Sequence, residues 1–359
     1  MATRVGDKNH PALRHRQPVN ATHLTVAVRD AVARAIGQPA YDGEITLRPA
    51  TAHQSNRLYD VRVQGHHLIA KEYLRADRPS APRHEYDALC RLEALHLAPE
   101  PLFFDPRVGP VVVYRYMDGE MWDRHVPSAA ELGALAELWL QFHCLGTDGF
   151  WLATGQARSW AEIEARLRVP LEAYALWADR TSPRFRDTAR LCLEALERSL
   201  AAARRLIPRQ TPVCFCRSGA RFANVIARTD GRLGLVDWQD SGLRDPAREV
   251  ADLLMHPNQE DLLDWDAWQA FLSIYGDSRR DDSSFESRLQ GSLAVFPVFW
   301  LGVLLEDGMQ RVAGGRLDTW RVNEMEPNIR LRRYLARAQA WPAPDPAVAL
   351  AKLGDLAFF

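Results

Sequence analysis

Residues 211–252 constrain this chain more tightly than any other stretch: TPVCFCRSGARFANVIARTDGRLGLVDWQDSGLRDPAREVAD. Two apolar runs flank the polar turn Thr229-Asp230-Gly231. An Asp-Gly pair between strand-like runs signals a hairpin, because the favoured tight turns need residues that tolerate φ > 0. The pattern predicts strands over Asn224–Ala227 and Leu233–Val236. Such a hairpin sets Asn224 and Asp237 at adjacent strand ends. An amide oxygen and a carboxylate placed side by side suit one hard cation, since magnesium takes oxygen ligands and keeps positions open for substrate phosphates. Turn formation is the alternative role for an isolated Asn or Asp.

Ahead of this hairpin the chain reads as a small α+β region. Thr25–Gly37 has apolar positions at three- and four-residue spacing and ends on Gly, which predicts a short amphipathic helix. Glu44–Pro49 reads as a strand, and Asn56–Tyr73 as a hairpin turning near Gln64–His66, with His66 and His67 as turn surface. Arg83–His96 is helical by period, and Leu102–Phe104 and Pro110–Met117 read as two further strands. Asp118-Gly119-Glu120 reads as a connector. From Ser128, a candidate N-cap, the pattern turns helical: 130–142, 159–167, 171–177 and 185–205 before the central hairpin, then 246–255, 262–275, 285–307 and 320–339 after it. Pro297 and Pro327 predict kinks or interruptions. The expected division is an N-terminal extension with a short helix (1–43), a β-rich region (44–118), a helical region holding the central hairpin (119–345) and a tail (346–359). The fold class expected is α+β, with a small β-rich lobe and a larger helical lobe.

Composition narrows the partners. The 359 residues carry a formal net charge of −1, which gives no global electrostatic attraction to nucleic acid. The local basic clusters at Arg204-Arg205 and from Arg330 read as solvated helix faces. No apolar run of membrane-spanning length is evident, and the first residues lack signal-peptide character. A cytoplasmic location with no membrane partner is the expectation. Five cysteines, an odd number, argue against a disulfide scaffold. All five read as small buried or half-buried apolar groups, with Cys214 and Cys216 on one strand face and no zinc-type spacing.

Lys71 sits at the centre of the apolar run LIAKEYL. A lysine there is costly unless its amine meets an acid or a phosphate, or unless the strand is an edge strand facing water. Glu85 follows in the first turn of the next helix. The stretch AHQSNRLYDVR holds Ser55 and Asn56 but no glycine for a phosphate-cradling loop, and the chain has neither GxxxxGKS nor GxGxxG.

The 211–252 stretch resembles the catalytic segment of the aminoglycoside phosphotransferase and choline kinase-like family, which has a protein-kinase-like fold. The VDW and GLRDP strings around Asp237 carry the likeness, which extends over roughly residues 45–260. The resemblance implies a bilobal fold, ATP or GTP with Mg2+, transfer of a phosphoryl group to an unidentified small-molecule hydroxyl, and a monomer or homodimer. It implies that Lys71 holds nucleotide phosphates and is oriented by Glu85, that Ser55 and Asn56 cover the phosphates, and that Asn224 and Asp237 ligate the metal. The string Val113–Met117, with Tyr116, would face the adenine edge, although a plain core strand explains it equally. Asp245-Pro246, Glu249 and Ala251 resemble a string that fixes the catalytic loop, and His143 a buried, hydrogen-bonded histidine.

The resemblance fails at one place. Where the family pattern has His-Gly-Asp, this chain has Arg217-Ser218-Gly219. Glycine has no side chain to orient a substrate hydroxyl or accept its proton, and Arg221 nearby is not a base at neutral pH. Three explanations stand: a nucleotide-binding pseudokinase, a kinase using another carboxylate such as Asp240, or an ordinary kinase inactivated by a change at residue 219. The acceptor is not readable. Asp261, Asp264 and Asp266 are candidate acids for it, and Phe296, Phe299, Trp300 and Trp320 read as core more readily than as a cleft wall.

Overall fold

The computed structural model describes residues 26–41, 43, 45–47, 56–63, 65–154, 157, 160–322, 325–342, 347–354 and 356–359. The chain divides into two compact units, one drawn from residues 1–82 and 101–116, the other from 83–100 and 117–359. Residues 83–100, expected within the 44–118 region, thus group with the second unit.

In the first unit, strands β1 (Ile45–Leu47), β2 (Asn56–Val63), β3 (His66–Tyr73), β4 (Pro101–Phe103) and β5 (Val111–Arg115) form one antiparallel sheet in the order β1-β2-β3-β5-β4. Val63 pairs with His66, so two residues make the β2–β3 turn, and Gly65 takes φ +80° there, as tight hairpins need. Helix α1 (Val26–Ala35) buries Val28, Ala31 and Val32 against Tyr59, Val61, Leu68, Ala70, Val111 and Val113. The short helix expected within the N-terminal extension is therefore part of this core. Because strand side chains alternate, Ile69, Lys71 and Tyr73 lie on the sheet face opposite α1.

The second unit begins with α2 (Ala81–Leu92), most of which belongs to it. Gly119–Met121, expected as a connector, is instead strand β6, paired with β8 (Val225–Arg228), which pairs with β9 (Leu233–Leu235). Gly119 takes φ +149° beside the backbone of Ala227 and Arg228, an approach that leaves no room for a Cβ. Strand β7 (Cys214–Cys216) pairs with β10 (Gly242–Arg244). The helices are α3 (Ala129–His143), α4 (Trp160–Thr181), α5 (Arg186–Leu206), α6 (Pro246–Met255), α7 (Gln269–Asp277), α8 (Phe285–Ala313), α9 (Pro327–Ala340) and α10 (Ala347–Leu353). Ser128 caps α3 through a reciprocal capping box with Glu131.

Several helix limits differ from expectation. The two helices expected over 159–167 and 171–177 are replaced by one, α4 from Trp160 to Thr181, running through Pro170. The lost backbone bond is offset by burial of Leu167, Leu171, Tyr174 and Ala178, and the proline ring packs against Gly302 of α8. Helix α7 starts at Gln269 rather than 262, since the Asp264 carboxylate caps a turn by accepting the Ala267 N–H at 2.8 Å. Helix α9 starts at Pro327, a residue suited to the first helical position, with Glu326 accepting the Ile329 N–H. The tail is also part of the core. Phe358 is fully buried, and its carbonyl accepts the Tyr174 hydroxyl at 2.8 Å. Trp320 belongs to the same core, while Phe299 and Trp300 pack at its edge. By length and composition α8 meets the criteria of a membrane span, but its apolar window is 67% buried within the unit, as befits a central core helix.

Candidate functional site

Each candidate residue that the structure describes has a defined setting within its own unit. In the first, Lys71 is buried on β3, between Leu58 of β2 and Val112 of β5. The edge-strand alternative is thereby excluded. Its ammonium lies 5.1 Å from the centroid of the Tyr73 ring. Asn56 begins β2 opposite Tyr73. Ser55 lies outside the described residues. Tyr116 stacks on His67 with ring centroids 3.8 Å apart, and its N–H donates to the His67 carbonyl at 2.9 Å. That N–H is therefore already engaged rather than presented to a ligand. His67 also meets Asp60 at 2.9 Å.

In the second unit the central hairpin forms as the Asp-Gly signal requires. Asp230 accepts the Arg232 N–H at 3.1 Å, and Gly231 takes φ +81°. Val225 pairs with Leu235, and the Asn224 carbonyl accepts the Val236 N–H at 3.0 Å, so Asn224 and Asp237 stand at the same end of the ladder. Asn224 closes a 3-10 turn (Phe222–Asn224) whose Phe222 is buried against Trp122 and Trp268. Asp237 has φ +68°, a left-handed conformation that costs a non-glycine residue free energy. The next residue is firmly anchored. The Trp238 N–H donates to the Glu85 carboxylate at 3.3 Å, and its indole N–H donates to the Leu235 carbonyl at 2.9 Å. Glu85 is itself buried. It thus fixes the backbone just after Asp237, a contact for which the sequence gives no sign.

The loop Arg217-Ser218-Gly219 is held from three sides. Arg217 is fully buried and donates to the carbonyls of Gly219, Val236 (2.6 Å) and Asp237 (3.4 Å), joining the loop to the end of the hairpin. Burial pushes its guanidinium down to about 10, against the opposing pull of Asp237 and Glu249, so it stays a cation at neutral pH. The Ser218 N–H donates to Glu249 at 2.8 Å, and the other Glu249 oxygen meets His143 Nε2 at 2.6 Å. His143 Nδ1 meets the Tyr275 hydroxyl at 2.6 Å. Gln259 donates to the Ala220 carbonyl at 2.7 Å and to the Leu253 carbonyl at 2.6 Å. Ser218 has φ +55° and Gly219 φ +114°, and a Cβ at residue 219 would meet nothing within 4 Å. The position has space for a side chain, but its backbone is one that only glycine adopts without strain.

Other candidates have structural partners. Asp245 caps α6 through the Ala247 N–H and receives Arg288 Nε at 3.0 Å. Asp261 lies 3.5 Å from Arg330 and 3.6 Å from Arg124. Asp240 is half-buried, three residues beyond Asp237, and its carbonyl accepts the Thr154 N–H at 3.0 Å. Cys192, Cys214 and Cys216 are buried as expected, whereas Cys90, on α2, and Cys144, the C-cap of α3, are exposed.

A strand-rich first unit and a larger helical second unit with this loop and hairpin define a protein-kinase-like fold. The chain belongs to the phosphotransferase enzyme family, whose sequence profile matches residues 46–281. Among solved structures it is similar to a choline/ethanolamine kinase family protein from Mesorhizobium loti, with a TM-score of 0.54 at 16% identity over 90% of this chain and 96% of that one. It is similar to the choline kinase LicA from Streptococcus pneumoniae, with a TM-score of 0.54 at 15% identity over 83% and 94%. It is also similar to the macrolide 2'-phosphotransferase MphH from Brachybacterium faecium, with a TM-score of 0.52 at 16% identity over 89% and 100%. At such identities these likenesses define the fold alone. No curated protein matches the chain.

Proposed function

We propose that this phosphotransferase-family chain binds a magnesium nucleotide and has lost rapid phosphoryl transfer to a small-molecule hydroxyl. Asn224 and Asp237 of the second unit are the proposed metal ligands, and Lys71 of the first unit the proposed phosphate ligand. The donor types fit the cation, since an asparagine and an aspartate stand at the same end of the hairpin ladder. The observation that carries the reading is the loop at residue 219. It presents no side chain, and the buried Arg217 guanidinium bonds the Gly219 carbonyl directly. With no carboxylate there to position an acceptor hydroxyl, the transfer step loses its orienting group. The loop is moreover built around its own residues, since Arg217, Ser218 and Ala220 each have buried partners. Such integration favours long-standing divergence over one inactivating change at residue 219.

Calorimetry with ATP or GTP, with and without Mg2+, tests the binding half. Asp237→Asn should abolish the Mg2+-dependent part, and Lys71→Met should weaken both forms. Phosphoryl transfer to a panel of amino alcohols, aminoglycosides and macrolides tests the other half. Turnover on the order of 1 s⁻¹ or faster by the chain as it stands, the range of working kinases, overturns the proposal. Asp240 is the rival base. If Asp240→Asn removes a measurable rate while leaving nucleotide affinity intact, the kinase reading replaces the pseudokinase one.

A further inference from the structure

Directly ahead of the Arg217–Gly219 loop, β7 carries Cys214 and Cys216, whose sulfurs lie 3.7 Å apart on one strand face. His143 meets them from the last turn of α3. One of its ring nitrogens and both sulfurs lie within 4.8 Å of one another, and all three residues are buried. Four-coordinate zinc binds thiolates at about 2.3 Å, which for tetrahedral geometry sets two sulfurs about 3.8 Å apart. The two thiols already hold that spacing. Glu249 stands behind the cluster as the partner that orients its imidazole, hydrogen-bonded to His143 at 2.6 Å.

The charge arrangement points the same way. Two thiols used only as core filler would be surrounded by apolar side chains. Here they face an imidazole that is fully buried and paired with a buried carboxylate.

We infer that His143, Cys214 and Cys216 form a buried site for a zinc-class ion, distinct from the proposed magnesium ligands Asn224 and Asp237. Binding releases the two thiol protons, and the neutral imidazole supplies the third donor, the ring nitrogen that ligates giving up its present hydrogen bond. Because Glu249 also holds the Ser218 N–H, the ion would brace the loop that carries Gly219. The burial of all three ligating residues means that the ion enters as the chain folds.

The full chain is produced in zinc-supplemented and in cobalt-supplemented minimal medium, passed through gel filtration, and analysed for metal by mass spectrometry and for thiolate-to-cobalt charge-transfer absorption. The expected result is about one tightly held ion per chain with that absorption band. Both should disappear in Cys214→Ser and Cys216→Ser and persist in Cys90→Ser, whose thiol is exposed on α2. A chain isolated without metal from both media overturns the inference. So does cobalt bound without thiolate absorption, a reading on the unaltered protein that stands even if a cysteine variant fails to fold. Loss of the band in Cys90→Ser would assign the metal elsewhere and also overturn it. None of these outcomes depends on nucleotide binding or turnover.

Discussion

Glu249 offers a test of how the loop is held. Its carboxylate accepts from the Ser218 N–H at 2.8 Å and from His143 at 2.6 Å, with no exposure of either side chain of the pair. Glu249→Ala strands both donors in a buried setting, and losing one partner of a buried pair costs about 3–5 kcal/mol. Glu249→Gln keeps an acceptor oxygen for Ser218. The imidazole can then change tautomer, accepting from the new amide and donating to Tyr275. What remains lost is charge assistance, about 1 kcal/mol per bond, partly offset by relief from burying a carboxylate, so the cost stays below about 2 kcal/mol. Denaturant unfolding measures both, and at about 2–4 °C per kcal/mol the alanine variant should melt on the order of 10 °C lower. Burial pushes the Glu249 carboxyl up, but His143, Ser218 and Cys216 together outweigh it and hold it below the usual range. A depressed carboxyl contributes stability that is present above its unfolded value of about 4.3 and lost as pH falls through the folded one. The gap between the parent chain and Glu249→Gln should therefore narrow below about pH 4. An alanine variant within 1 kcal/mol of the parent, or equal to the glutamine variant, would refute the reasoning.

Three further outcomes are expected. Burial raises the Asp252 carboxyl from an ordinary 3.8 to about 6, so its contribution is full below about pH 4 and lost as pH rises through 6. Asp252→Asn should gain on the parent by on the order of 3 kcal/mol between pH 4 and 7, read as the difference in unfolding free energy across a pH series. Gly219→Ala should destabilise by about 1–3 kcal/mol through its φ of +114° alone, since the added Cβ meets nothing within 4 Å; a neutral substitution would show that the loop relaxes freely. Deleting residues 356–359 removes the buried Phe358 and the carbonyl partners of Tyr174 and Thr188, and should cost several kcal/mol, about 3 or more; an unchanged thermal midpoint would show that the tail does not belong to the core.

The signals carried by neighbouring residues were legible in the chain: the hairpin around Asp230-Gly231, the 56–73 hairpin, the cap at Ser128, and a strand-rich region followed by a helical one. Each depends on a local period or on turn chemistry, which a window of residues contains in full. What misled were places where packing overrode local preference. Pro170 sits inside α4 because the faces on either side of it are buried, and Gly119–Met121 is a strand because β8 lies beside it. The candidate site divides in the same way. The chain itself marks Lys71, Asn224, Asp237 and Gly219 as candidates. Only the tertiary structure decided that Arg217 grips the carbonyls at the hairpin's end, that Glu85 meets the Trp238 N–H, and that His143, Cys214, Cys216 and Glu249 share one buried corner. Apart from Cys214 and Cys216, which strand alternation already links, the partners in those contacts lie between 19 and 153 positions apart in the chain. No sequence period links them, because burial forces each polar group to find a partner wherever the fold brings one.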